Sequence, residues 1–290
     1  MFQQPLFDYY QTLAAGIQAH FVRVAAYRDP EALHEMRVGI KQLRAFFRVI
    51  EFLAPEAFPA KKYLCPIRKL FKVSGDLRDA QVQQELTRAW AKEFGAFLSE
   101  YYNDLKQKEI HAGSAFSAFV DHFEIEDEFQ RNSERLLYAI IPLTEEYAAQ
   151  RIRSRLEDQL LELHAYEDRD LLEEGCLHPL RILVKEIRYT LNIATRCFPE
   201  LENRELDSML RGIHQALGRW HDCEVAKAHL DEFHAAYADA ISLTDEHVYD
   251  LLFLKIRDEK ETDFREFQAC WAKFLSCRGD PPCSPKTTHG

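Results

Sequence analysis

Long apolar runs are missing from this 290-residue chain: no stretch approaches the roughly 18 consecutive apolar residues that a membrane-crossing helix requires. Its opening, MFQQPLFDYY, has neither the basic segment nor the apolar run of a secretory signal, so the expectation is a cytoplasmic protein with no membrane partner. Glycine is scarce, at ten residues, and the polar–apolar alternation of strands is nearly absent. Sheet-rich folds and glycine-rich phosphate loops are thereby excluded. The seven cysteines are odd in number, with no C-x-x-C pair, which excludes a disulfide framework and a cysteine metal cluster. No H-E-x-x-H and no acidic cluster at metal-ligand spacing occurs, so neither a cofactor nor a metal is expected.

What the chain has in abundance is helical periodicity. Hydrophobic residues make up 47% of it and charged residues 29%, enough for a substantial core and too patterned for disorder. Prolines fall where helices start or stop: Pro30, Pro55, Pro59, Pro66, Pro142, Pro179 and Pro199. The pattern predicts helices at roughly 5–27, 31–53, 60–74, 77–108, 113–123, 127–141 or longer, 144–166, 178–197, 201–216, 220–240 and 245–275. The fold class is all-α. The tail from 276 to 290, rich in breakers, is expected to be disordered, and its Arg-Gly-Asp tripeptide carries no meaning.

Within the predicted helix 31–53, His34, Arg37, Lys41, Arg44 and Arg48 follow one another at spacings of three, four, three and four. At about 100° per residue they occupy one stripe less than a quarter-turn wide. Leu33, Met36, Ile40, Leu43, Phe47 and Ile50 form an apolar stripe beside it, the ordinary core face of a helix. The basic stripe is the anomaly, because like charges at i,i+4 oppose helix formation.

The anomaly occurs twice. His178, Arg181, Lys185 and Arg188 repeat His34, Arg37, Lys41 and Arg44 at an offset of 144. Leu177, Leu180, Ile187 and Leu191 repeat the apolar stripe. Further on, Gly75, Arg78 and Asp79 match Gly218, His221 and Asp222 at an offset of 143, and Lys61 and Arg68 match Arg204 and Arg211. Three coincidences at nearly the same separation indicate a tandem duplication. The expected organisation is one domain over 1–275 made of two repeats, about 5–142 and 143–275. Gly75 and Gly218 are expected to end helices, placing Asp79 and Asp222 in the first turn of the next as caps or partners of the arginines.

The doubled H-x-x-R-x-x-x-K-x-x-R helix, followed about 45 residues later by G-x-x-[RH]-D, resembles the CHAD family (conserved histidine α-helical domain). The resemblance spans roughly residues 5–275. It implies two pseudo-twofold-related helical bundles with a shared basic groove, and binding of inorganic polyphosphate, often at polyphosphate granules. The ligands it implies are His34, Arg37, Lys41, Arg44, Arg48, Lys61, Arg68, Lys72 and Arg78 in the first half. In the second they are His178, Arg181, Lys185, Arg188, Arg204, Arg211 and His221. The second half departs from the first where Arg48, Lys72 and Arg78 become Asn192, Gln215 and His221.

Charge counts agree with such a site. Residues 34–78 hold ten Lys or Arg against four acids, and residues 178–221 seven against five. With the chain at −11 overall, the other 201 residues carry −19, so the positive charge is concentrated in the two motifs on an acidic background. Arg offers phosphate a rigid fork and Lys a mobile point charge. From Arg37 to Arg48 the helix rises about 16 Å, long for one phosphate and suited to a chain of them.

Other polyanions fit the same charge. Nucleic-acid binders usually interleave stacking aromatics with their cations, whereas Phe46, Phe47 and Tyr189 fall off the stripe, so a baseless polyanion is preferred. A groove docking an acidic protein segment stays open as a further reading. An enzyme, such as a metal-dependent phosphohydrolase, is disfavoured: the one His-Asp pair in a motif, His221–Asp222, is matched by Arg78–Asp79, and arginine is neither a metal ligand nor a useful base. The histidines could serve as ligands or as core and capping groups, with His178 before Pro179 suiting a first helical turn.

Overall fold

The computed structural model describes residues 3–95, 98–169, 171, 174–237 and 243–277. The tail expected to be disordered, 276–290, lies outside the described residues from 278 onward, its Arg-Gly-Asp included, while Ser276 at its start is the last residue of a helix. The described residues form α1 (Gln3–Tyr27), α2 (Pro30–Leu53), α3 (Ala60–Tyr63), α4 (Cys65–Phe94), α5 (Ser99–Val120), α6 (Ile125–Ile140), α7 (Glu145–His164), α8 (Glu174–Cys197), α9 (Arg204–Tyr237) and α10 (Leu243–Ser276). A short 3-10 turn, Pro199–Leu201, precedes α9. No strand occurs among the described residues, and none of their helices is long and apolar enough to cross a membrane.

The start of α2 shows why a basic helix forms here. The Asp29 carboxylate accepts hydrogen bonds from the backbone N–H groups of Glu31 (3.0 Å) and Ala32 (3.2 Å), and Pro30 follows with its φ already helical. Those bonds, the Ala32 one foremost, and the Arg23 guanidinium hold the Asp29 carboxyl below the usual carboxylate range. Leu33, Met36, Ile40, Leu43, Phe47 and Ile50 are all fully buried, as their stripe requires. Leu177, Leu180, Ile187 and Leu191 of α8 are buried in the same way. Burial of both apolar faces offsets the mutual repulsion of the basic faces.

Two expected helix ends are corrected. The chain does not break at Gly75 or Gly218: α4 and α9 run straight through both. Asp79 and Asp222 are therefore mid-helix residues rather than first-turn caps. A single helical glycine costs only about 1 kcal/mol relative to alanine, less than the packing held by a helix anchored at both ends. The break falls instead at Gly95, whose φ of +66° is the left-handed conformation that closes a helix. In the same way α8 begins at Glu174, so His178 and Pro179 lie inside it rather than in its first turn.

α2 and α8 pack on one another at the centre, each also against α1 and α7, with α6 behind α1. This main core includes the aromatic group Tyr10, Phe46, Phe47 and Phe58, with the Tyr10 hydroxyl donating to the Phe129 carbonyl at 2.6 Å. From it project two long hairpins: α4–α5, whose base packs on α2, and α9–α10, whose base packs on α8. Their far ends meet in a second, smaller apolar cluster that includes Trp90, Tyr101, Leu105, Leu230, Phe233, Tyr249 and Leu252. Tyr101 and Phe233 touch edge-to-face at 5.2 Å, and the Lys255 ammonium meets the Glu93 carboxylate at 2.7 Å. Contacts thus run in a closed circuit, from α2 to α8, out along α9–α10, across the tips and back along α4–α5. The basic stripes lie at the base of that circuit.

Candidate anion-binding site

Packing α2 on α8 presses two positive stripes together. Lys41 and Arg44 of α2, with Arg181 and Lys185 of α8, line one cavity of about 270 Å³. None of these four makes an ion pair among the described residues. Burial pushes the Lys185 ammonium down to about 8, with Lys41, Arg181 and Arg44 adding repulsion. Burial likewise lowers Lys41, helped by Arg37 and Arg181 and opposed by Asp222 and Asp79. Arg44 is lowered by burial first, then by Arg48 and Arg68. A like-charge cluster held partly out of water binds an anion without having to part from a carboxylate first.

A second cavity, about 600 Å³, opens between α8 and α9 and shares Lys185 and Tyr189 with the first. Its cations are more encumbered. Arg211 pairs with Asp207 at 2.5 Å and Arg204 with Glu202 at 2.9 Å. Arg188 Nη1 lies 2.8 Å from His214 Nδ1; guanidinium can only donate, so the imidazole accepts and its proton sits on Nε2. Burial, then Arg188, Arg181, Lys185 and Lys41, push His214 down to about 4, which keeps it a neutral acceptor that aims Arg188.

The remaining sequence-derived ligands divide by circumstance. Arg37 is half-buried: Nη1 donates to the Phe71 carbonyl (2.7 Å) and Ser74 Oγ (3.0 Å), and its guanidinium lies 4.1 Å from the Phe71 ring centre. It fastens α2 to α4, and a Cβ on Gly75 would stand 3.6 Å from it. Arg48 is paired with Glu186 and Arg78 with Glu85 (3.6 Å). Lys61, Arg68 and Lys72 are exposed on α3 and α4, with no ion pair among the described residues. His34 is exposed, 4.0 Å from the Glu35 carboxylate. The His178 ring sits 5.5 Å from His221, and burial followed by Arg181 lowers the pKa of His221.

Residues 9–231 of the sequence match the model of the CHAD domain. The chain belongs to the CHAD family. Its fold is similar to the crystal structure of the CHAD domain from the plant Ricinus communis, with a TM-score of 0.74 at 21% identity, covering 96% of this chain and 93% of that one. It is also similar to PptA from Streptomyces chartreusis, with a TM-score of 0.67 at 15% identity, covering 93% of this chain and 99% of that one. No curated protein matches the sequence.

Three features of this CHAD chain escape a reading of the stripes alone. Tyr189, set aside as off-stripe, lines both cavities, with Lys185 Nζ 5.9 Å from its ring centre. The expectation of a stripe without aromatics is corrected there: packing against α2 and α9 brings the ring to the edge of the groove. Phe71 is the second, a platform under Arg37, Arg44 (5.5 Å) and Lys41 (6.0 Å). Its repeat counterpart at an offset of 143 is His214, so comparing the two halves position by position would have found both rings. The third is Arg155 of α7, which enters the first cavity from outside either motif.

Proposed function

We propose that this CHAD chain binds inorganic polyphosphate along the groove between α2 and α8, by binding rather than turnover, as a cytoplasmic protein associated with polyphosphate granules. The observation that carries this reading is the set Lys41, Arg44, Arg181 and Lys185: four cations from two helices, half-buried around one cavity and without a carboxylate partner. Two helices related by a pseudo-twofold axis would present these groups to opposite sides of one linear polyanion. The two adjoining cavities offer a path longer than a single phosphate. The Phe71 ring already carries the Arg37 guanidinium at 4.1 Å, with Arg44 and Lys41 beside it, which favours a polyanion without bases. Tyr189 gives the nucleic-acid alternative its one foothold.

The test is a titration with long-chain polyphosphate at several salt concentrations, with single-stranded DNA of matched charge as competitor. Tight binding that weakens linearly on a log–log salt plot, and that DNA fails to displace, is expected. Equal displacement by DNA would make this a general polyanion site, and no binding to either would refute the reading. Lys41→Gln with Lys185→Gln should lower affinity about tenfold or more while raising the melting temperature of the free protein, since it removes buried repulsion.

A further inference from the structure

Helix α7 reaches the groove with arginines that neither repeated motif contains. On α2 the basic stripe continues from Arg48 to position 52, which at about 100° per residue returns to the direction of His34. That position holds a phenylalanine. Over the Phe52 ring lie two guanidinium groups of α7, Arg151 at 4.2 Å and Arg155 at 5.1 Å from its centre. The aromatic residue thus stands where the next cation of the stripe would be and fixes two cations supplied by a neighbouring helix.

Arg155 lines the first cavity beside Arg48 and Lys185. Burial lowers its pKa, Arg48 adding to that effect while Glu186 opposes it. The Nε–H groups of Arg151 and Arg155 are enclosed and donate to no partner, and neither residue forms an ion pair among the described residues. One helical turn apart, about 6 Å, the two lead from the cavity toward the C-terminal end of α2. An arginine stacked on a ring has its fork already oriented for a phosphate.

We propose that Arg155 and Arg151, held on Phe52, form the exit of the polyphosphate path, taking the phosphates that extend beyond the central cavity. This rests on the polyphosphate reading above. The site then distinguishes chain lengths: tripolyphosphate is held within the central cavity, which Arg155 borders, whereas a long chain also reaches Arg151.

The experiment uses the full chain with Arg151→Gln and Arg155→Gln together, titrated with tripolyphosphate and with long-chain polyphosphate across a salt series. Long-chain affinity should fall about tenfold at about 0.1 M salt, and the log–log slope should flatten by about 1.5, as expected for two lost phosphate contacts. Tripolyphosphate affinity should stay within about twofold of wild type in Arg151→Gln alone, because Arg155 lines the central cavity and Arg151 does not, and Arg151→Lys with Arg155→Lys should restore most of the long-chain slope. An unchanged long-chain slope in the double variant would overturn the exit, and so would equal losses for both lengths in Arg151→Gln, which would place Arg151 in the central site. Wild-type protein that binds neither ligand would instead refute the underlying reading, and the exit with it. If the double variant loses its cooperative melt, Arg151→Gln alone reads the same length dependence at half the change in slope.

Discussion

Lys41 and Lys185 show how one residue type is turned to a purpose by its surroundings. Each ammonium is partly removed from water and faces cations from the opposite helix, so its charged form is disfavoured in the free protein. An anion in the cavity reverses that balance and draws the pKa of Lys185 up from about 8. Binding polyphosphate near pH 8 should therefore take up protons. Calorimetry in two buffers of different ionisation enthalpy measures it, and identical heats in both would refute it. The sign for stability follows from the same shift: between about 8 and 10.5 the unfolded lysine holds a proton that the folded one has released, so this group makes free-protein stability rise with pH there. Arg37 behaves differently, because its donors are committed to Phe71 and Ser74. Replacing it removes the bonds that tie α2 to the Phe71 carbonyl and the Ser74 hydroxyl of α4, a structural loss before it is a binding loss.

At the scale of the element, the informative positions are Gly75 and Gly218. Both lie inside continuous helices, and a Cβ at Gly218 would meet nothing within 4 Å while one at Gly75 would make ordinary contact with Arg37. Neither glycine takes a left-handed φ, a conformation that among the described glycines belongs to Gly95. Gly218→Ala and Gly75→Ala should each stabilise the protein by up to about 1 kcal/mol without weakening polyphosphate binding. Urea denaturation reads the first and the salt titration the second. Destabilisation by alanine at either site would mean that the helix turns there, as the sequence pattern had suggested. Continuity matters to the site, since it lets one element carry Phe71 under the arginines at its base and Trp90 in the apolar cluster at its tip.

For the whole molecule, two cores of unequal size divide the labour. The larger holds α2 and α8 in register, and the smaller joins the hairpin tips. Removing the ring of Phe233, which is buried against Tyr101 and Tyr249, should cost about 3–5 kcal/mol locally. Hydrogen exchange on Phe233→Ala is expected to show lost protection over residues 90–105 and 226–256, with α2 and α8 amides retaining theirs. A uniform loss across the chain would show instead that both cores open as one cooperative unit.

The sequence by itself determined the helical class, the paired apolar and basic stripes and their recurrence 144 residues apart, because amphipathic periodicity and repeats are local or self-referential properties. From those alone His34 through Arg48 and His178 through Arg188 could be picked out. Only the tertiary structure decided which cations are spent and which are free. Arg37 lies in the same stripe as Lys41, yet one is bonded to a neighbouring backbone and the other faces Lys185 across a cavity. Tyr189, His214 and Arg155 join the site because helices far apart in the chain converge there, and no spacing within one helix encodes that. The glycine punctuation misled for a related reason: helix propensity is worth about 1 kcal/mol at one residue, whereas the packing of two cores is summed over the length of α4 and α9.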